Sequence, residues 1–373
     1  MRVVVPREIK EGEKRVALVP DVINKLTRLG LEVIVEAGAG VHSQATDADF
    51  TAAGATIKQG DALAEADVVL SVQPLTPKQM ATLKKGAITI SFLSPVTAVD
   101  SIDAAAAAGV TAFSLELVPR ISRAQSMDAL TSQALCAGYR AAIVGAELSP
   151  RFFPMLMTAA GTVTPAQVLV LGAGVAGLQA IATARRLGAV VSAYDVRPAS
   201  ADEVRSMGAT FIELELEALE GAGGYAREMT EDRAAKQREL LTPYIAKSHV
   251  VITTAAVPGR QAPRLMTQAM MDSMAPGTII VDLAAETGGN VEGSKPGEIV
   301  ETAGGVRIWG GKDVPSQLPF HASFLYSRNV VNLLSLFTTP AKDDQKVAFN
   351  LDFDDEIING AAVTHAGARR GAK

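Results

Sequence analysis

Cysteine is almost absent: the 373 residues contain one, Cys136. A lone thiol forms no intrachain disulfide and cannot furnish a sulfur-ligated zinc site, which fits a reducing cytoplasm. No metal site is expected. Long hydrophobic runs are lacking too. None reaches the roughly eighteen apolar residues that a membrane-spanning helix needs, "AAAAAGVTAF" being one of the longest candidates. The opening "MRVVVPREIKEGEKR" meets charge within a few residues of "VVVP", so the apolar centre of a signal peptide is missing. There is no excess of positive charge. Against 40 Asp and Glu stand 35 Lys and Arg, giving a formal charge of -5, which favours solubility and offers nucleic acid no electrostatic footing. The chain shows no internal repeat of fixed period, and it has only four histidines, His42, His249, His321 and His365.

What is present is apolar sequence in short pieces. Hydrophobic residues make up 48% of the chain and the mean hydropathy is +0.21, ample for globular folding. The length suits two domains. Runs such as "RVVVP", "EVIVEA", "DVVLSV", "AITISFL" and "TAFSLEL", then "QVLVLGAG", "VVSAYD", "HVVITTA", "TIIVDLA" and "VRIWGG", alternate with longer helical patterns. Continuous apolar strands spaced by helices mean parallel strands covered on both faces. The fold class is therefore α/β, with two doubly wound parallel-sheet (Rossmann-like) domains and a cleft between them. A helical pattern from about Thr131 to Thr158 bridges to the second strand series. Another, from about Asp313 to Leu336, returns the chain to the first domain. The expected division is residues 1–135 with 316–373, and residues 136–315. The stretch "KVAFNLDFDDEIINGAAVTHAG" alternates around its "NG" and "DD" like a small hairpin.

"VLVLGAGVAGLQAIATARRLGAVVSAYD" sets Gly172, Gly174 and Gly177 in G-x-G-x-x-G spacing between a strand and a helix, with Asp195 ending the next strand. The first glycine permits the tight turn, the second lets backbone N–H groups reach a pyrophosphate, and the third brings helix and sheet together. The helix N-terminus adds partial positive charge. A carboxylate at Asp195 accepts the ribose hydroxyls of NAD(H) and repels the 2'-phosphate of NADP. Arg197 complicates this, because a guanidinium pairs well with phosphate.

Two other segments are unusual. "PRISRAQSMD" (119–128) places two arginines, a glutamine and an aspartate in ten positions directly after an apolar strand, which reads as a polar, ligand-facing loop. Arg120 and Asp128 could instead form an ion pair that braces it. The charged insertion "AGGYAREMTEDRAAKQREL" begins with Gly223 and Gly224. It is either a surface excursion or a mobile lid whose Tyr225 and Met229 close over a ligand.

"VPREIKEGEKRVALVP", "VEAGAG", the glycine motif, "PGRQAP" and "VDLAAETGGN" together resemble the family of alanine dehydrogenase and the NAD(H)-binding component of proton-translocating transhydrogenase, over nearly the whole chain. Both relatives carry the arginine matched by Arg15. Alanine dehydrogenase implies a substrate-binding lysine and an acid–base histidine where this sequence has Gln73 and Ser94, and an aspartate where it has Glu286. The loop resembles the signature of the transhydrogenase branch, which implies that Arg120, Gln125 and Asp128 meet the nicotinamide end of NAD(H). Thr131 stands where that branch commonly has serine. Tyr225 matches its mobile loop and Asp195 its ribose-binding acid. Val175 and Ala176, Val196 and Arg197, Ala255 and Glu286 complete the expected nucleotide-binding set. The resemblance further implies a homodimer, peripheral on the cytoplasmic face of the inner membrane. NADP(H) would sit on a partner domain and the membrane-spanning subunits on other chains. Direct hydride passage between two nicotinamides needs no general acid, only placement. The alternatives are a self-sufficient alanine dehydrogenase-like enzyme and a non-catalytic NAD(H)-binding module.

Overall fold

The computed structural model describes residues 1–216, 230–256, 260–341 and 346–370. The chain divides into two compact units, Met1–Gln133 with Ser316–Lys373, and Ala134–Pro315.

The first unit is built on six parallel strands, β1 (Arg2–Val5), β2 (Glu32–Glu36), β3 (Thr56–Lys58), β4 (Val68–Leu70), β5 (Ile88–Ser91) and β6 (Thr111–Ser114), in the order β3-β2-β1-β4-β5-β6. Alternation along each strand explains the continuous apolar runs. Val3, Val5, Val33, Val35, Val68 and Leu70 face one core, while Val4, Ile34 and Val69 face another on the opposite side. Side chains that alternate faces must all be apolar when both faces are covered. The helix Pro319–Leu336 enters through a proline at its first turn, where the missing N–H costs nothing, and lays Tyr326, Val330 and Leu334 into the first of these cores.

The hairpin expected around Asn359 and Gly360 is not there. Asp355 instead accepts hydrogen bonds from the N–H groups of Ile357 and Ile358 at 2.8 and 3.3 Å and caps a short helix, Glu356–Ala361. A carboxylate cap with Ile357 and Ile358 buried behind it outweighs the turn preference of Asn-Gly. The hairpin comes later, pairing Thr364–His365 with Ala368–Arg369. Its turn uses Ala366 at φ 50° and Gly367 at φ 86°, the two left-handed residues of a primed turn.

In the second unit the strands are β7 (Leu156–Thr158), β8 (Gly161–Val163), β9 (Gln167–Leu171), β10 (Val190–Tyr194), β11 (Thr210–Phe211), β12 (Val250–Thr253), β13 (Ile279–Asp282), β14 (Ile299–Glu301) and β15 (Arg307–Gly310). The sheet runs β11-β10-β9-β12-β13-β15-β14, with β14 antiparallel at the edge. Val168 and Val170 face one core, Leu169 and Leu171 the other. The helix expected as far as Thr158 runs from Ala129 to Leu148. Pro150 and Pro154 follow, which cannot continue it, and β7 and β8 form a separate antiparallel hairpin. Each main sheet reverses direction between its first and fourth strands. Ligands of open α/β sheets bind at that reversal, beyond the carboxyl ends of the strands.

Candidate functional site

In the second unit the reversal lies between β9 and β12. Gly172, at φ 101°, turns the chain out of β9, its N–H donating to the Tyr194 carbonyl at 2.8 Å. Its own carbonyl accepts from the Thr254 hydroxyl at 3.0 Å, tying the two strand ends together. Gly174 is the N-cap of the helix Val175–Arg186 and supplies no side-chain cap. A Cβ placed on Gly174 would find only the Arg197 Nη2, 4.0 Å away, so the backbone at this helix start is open to an anion. At Gly177 a Cβ would overlap the Gly172 carbonyl and lie 3.2 Å from the Thr254 hydroxyl. That position tolerates no side chain. Val175 is exposed and Ala176 half-buried beside them.

Asp195 follows β10 with its carboxylate largely covered. Oδ2 accepts from the Ala173 N–H at 2.7 Å. Arg197 folds back on it: its main-chain N–H and Nε donate to Oδ1 at 2.9 and 2.8 Å, and Nη2 donates to Oδ2 at 2.9 Å. Val196 packs against the core between them. After β12, Ala255 is held by Asn290, whose Oδ1 accepts the Ala255 N–H at 3.0 Å and whose Nδ2 donates to the Ala255 carbonyl at 2.7 Å. The fully buried Asp282 anchors that segment, accepting from the Thr253 hydroxyl at 3.0 Å and the Ala284 N–H at 3.0 Å. Neither Asn290 nor Asp282 was expected at the site. The "GGN" after an apolar strand was the available signal. Glu286 is exposed on the same loop and accepts from the Asp313 N–H at 2.9 Å.

In the first unit the loop 119–128 contains a 3-10 turn, Ser122–Met127. Arg120 and Gln125 are exposed, and Ala124 and Met127 bury beneath. Asp128 caps the helix Ala129–Leu148, its two oxygens accepting from the Thr131 N–H at 2.8 Å and the Thr131 hydroxyl at 2.6 Å. The long helix Pro319–Leu336 fixes the loop from below, Asn329 and Asn332 both donating to the Ser126 carbonyl at 3.0 and 3.1 Å. Arg123 is tied to Asp355 at 2.6 Å. The loop is thus held by its backbone and its flanks, with Gln125 projecting.

The reversal of this first sheet, between β1 and β4, opens on a cavity of about 500 Å³ lined by residues that include Glu8, Gln73 and Ser94. Beside it lies a buried ionic cluster. Arg15 donates to Glu13 at 2.6 and 2.8 Å and to the Gln133 Oε1 at 2.8 Å. Gln73 Nε2 donates to Glu13 Oε2 at 2.6 Å, and the Ser316 hydroxyl donates to Glu13 Oε1. Burial alone would raise Glu13, but the Arg15 hydrogen bonds outweigh it and hold Glu13 down at about 2. Burial pushes Glu8 up to about 7, against the pull of the Val72 and Gln73 N–H groups that its carboxylate accepts at 2.6 and 3.2 Å.

The histidines serve elsewhere. The Gln167 N–H donates to His249 Nδ1 at 3.0 Å, His365 Nδ1 meets the Thr111 hydroxyl at 3.0 Å, His42 is exposed, and His321 packs edge-on against Phe320. Tyr225 and Met229 lie outside the described residues.

Comparison with known proteins matches residues 4–137 to "Alanine dehydrogenase/PNT, N-terminal domain" and residues 141–370 to "Alanine dehydrogenase/PNT, C-terminal domain". The first part of NAD(P) transhydrogenase subunit alpha of Rhodospirillum rubrum is 48% identical over 378 residues, covering 99% of this chain and 97% of the relative. NAD(P) transhydrogenase subunit alpha of Haemophilus influenzae is 43% identical over 368 residues, covering 98% of this chain and 71% of the relative. The crystal structure of transhydrogenase from Sinorhizobium meliloti superimposes with a TM-score of 0.89 at 45% identity, covering 99% of this chain and 100% of that one.

Proposed function

The chain belongs to the alanine dehydrogenase/PNT family, and on that premise we propose that it is the NAD(H)-binding peripheral subunit of a proton-translocating transhydrogenase. The observation that carries the choice within the family is the cavity at the β1/β4 reversal. Gln73 and Ser94 line it where the resemblance to alanine dehydrogenase calls for a lysine and a histidine, and the Gln73 amide is committed to Glu13 at 2.6 Å. An amide and a hydroxyl do not protonate an imine or a ketone at neutral pH.

In this reading the glycine turn of the second unit holds the pyrophosphate. Gly172 makes the turn, and Gly174, Val175 and Ala176 present the open helix start. Gly177 keeps helix and strand close, while Asp195, with Val196 and Arg197 beside it, meets the adenosine ribose. Ala255, fixed by Asn290, and Glu286 border the same strand ends. When bound, the dinucleotide supplies the hydride that passes to a second nicotinamide carried by a partner. Gln125 orients the reacting ring, with Arg120 and Asp128 as its neighbours and Thr131 fixing Asp128. These side chains hydrogen-bond a carboxamide and cannot themselves be reduced. Their task is to hold two carbons within about 3 to 3.5 Å.

Among the described residues no helix is long and apolar enough to cross a membrane. The reading assigns proton movement to membrane-spanning subunits and NADP(H) to a partner domain, with this chain peripheral on the cytoplasmic face of the inner membrane and homodimeric. Mixing the chain with a purified NADP(H)-binding domain, NADH and NADP⁺ should give hydride exchange, followed by the absorbance of a thio-substituted acceptor. No exchange would overturn the reading.

One feature favours a second reading, a self-sufficient amino-acid dehydrogenase: Glu8 stands in the wall of the cavity, and burial pushes it up to about 7, within the range of a general acid. Steady oxidation of NADH by the chain alone with pyruvate and ammonia would establish that alternative.

A further inference from the structure

The Asp195 carboxylate is more fully engaged than a ribose-binding acid needs to be. Arg197 grips both oxygens, with Nε on Oδ1 at 2.8 Å and Nη2 on Oδ2 at 2.9 Å. The exposures of the two side chains are 22% for the arginine and 7% for the aspartate. The same Nη2 lies 4.0 Å from the place a Cβ on Gly174 would take, at the cap of the helix Val175–Arg186. A guanidinium therefore stands at the rim of the glycine turn with its fork already filled. The fork matches a phosphate as well as it matches a carboxylate, since both offer two oxygens in one plane.

We propose that Arg197 is a latent receptor for the 2'-phosphate of NADP(H), kept from that role by its bidentate pairing with Asp195, so that the pair sets the preference for NAD(H). The proposal rests on the reading of the second unit as an NAD(H) site. It differs from ordinary discrimination by an acid. A lone carboxylate excludes the phosphate by like charge, whereas here it also occupies a guanidinium that would welcome the phosphate. Replacing Asp195 with asparagine removes the negative charge and sets an NH₂ against one arm of the guanidinium, which opens the fork. Glu203, also negative and near enough to bias Arg197 toward its charged form, remains in that variant, so any gain comes from the change at residue 195.

Fluorescence titration with NADH and with NADPH tests this on the whole chain. Wild type should bind NADH and scarcely bind NADPH. Asp195→Asn should weaken NADH and tighten NADPH by about tenfold or more, the scale of one charge-assisted hydrogen bond. Asp195→Asn combined with Arg197→Ala should lose that gain. Asp195→Ser, a smaller replacement, repeats the measurement should the asparagine variant melt at a lower temperature than wild type or fail to fold. NADPH binding no tighter in either single variant, or equally tight in the double variant, overturns the proposal. Failure of unaltered wild type to bind NADH would bring down the underlying site assignment instead, and no variant enters that measurement.

Discussion

Glu8 lines the cavity and Glu13 sits in the buried cluster beside it, yet the two are driven in opposite directions. Glu8 is raised from 4.5 to about 7, chiefly by burial. As pH climbs from 4.5 the unfolded carboxyl ionises while the folded one does not, so Glu8 makes the native state progressively less stable up to about pH 7 and no worse beyond. Glu13, lowered to about 2, adds stability that is full above 4.5 and vanishes as pH falls toward 2. Glu8→Gln should therefore abolish the first effect alone. Relative to wild type it should gain up to about 3 kcal/mol between pH 4.5 and 7, measured by urea unfolding at both values. An unchanged difference across that interval would show that Glu8 titrates normally. At the other candidate residue, Gln125→Asn should slow hydride transfer far more than it weakens NADH, because a shorter amide shifts placement without removing the binding surface. Single-turnover rates and equilibrium titration separate the two. Equal losses would deny Gln125 a positioning role.

Among the elements, the turn from β9 into the helix Val175–Arg186 leaves no room for a side chain at its third glycine. In Gly177→Ala the added methyl would overlap the Gly172 carbonyl and crowd the Thr254 hydroxyl, forcing the helix off the sheet. Overpacking of this kind costs about 1–3 kcal/mol. The variant should melt lower and lose at least about tenfold in NADH affinity, since the proposed phosphate site lies at this helix start. This element was legible because three glycines, a strand, a helix and an acid each state a local requirement. The apolar strands β1, β2, β4, β5 and β6 were legible for the same reason. Short strands were not: β3 (Thr56–Lys58), β11 (Thr210–Phe211) and β14 (Ile299–Glu301) carry polar residues at sheet edges and have little pattern of their own. The Glu13–Arg15–Gln133–Ser316 cluster was hidden because its partners lie up to 303 positions apart. The Arg197 fork was hidden by the opposite accident. An Asp-x-Arg spacing is too common to announce a bidentate pair.

On the scale of the molecule, the β7/β8 hairpin is out of keeping with the rest. The central strands of both main sheets are buried on two faces, but Leu156, Met157 and Thr158 are all exposed, Met157 at 79%, with Phe152 and Met155 also exposed just before them. An isolated two-stranded hairpin is marginal in water, and its local bonds, such as Thr158 Oγ1 to the Gly161 carbonyl at 3.1 Å, do not alter that. The homodimer proposed above supplies what it needs, a second copy whose surface covers these side chains. Burying one methionine contributes about 1.5–3 kcal/mol, and a symmetric contact counts it twice. Met157→Asp should thus convert dimer to monomer in sedimentation velocity at micromolar concentration. The glycine turn lies on other strands, so NADH affinity should stay near that of wild type. If the variant sediments as a dimer, the hairpin is not the contact.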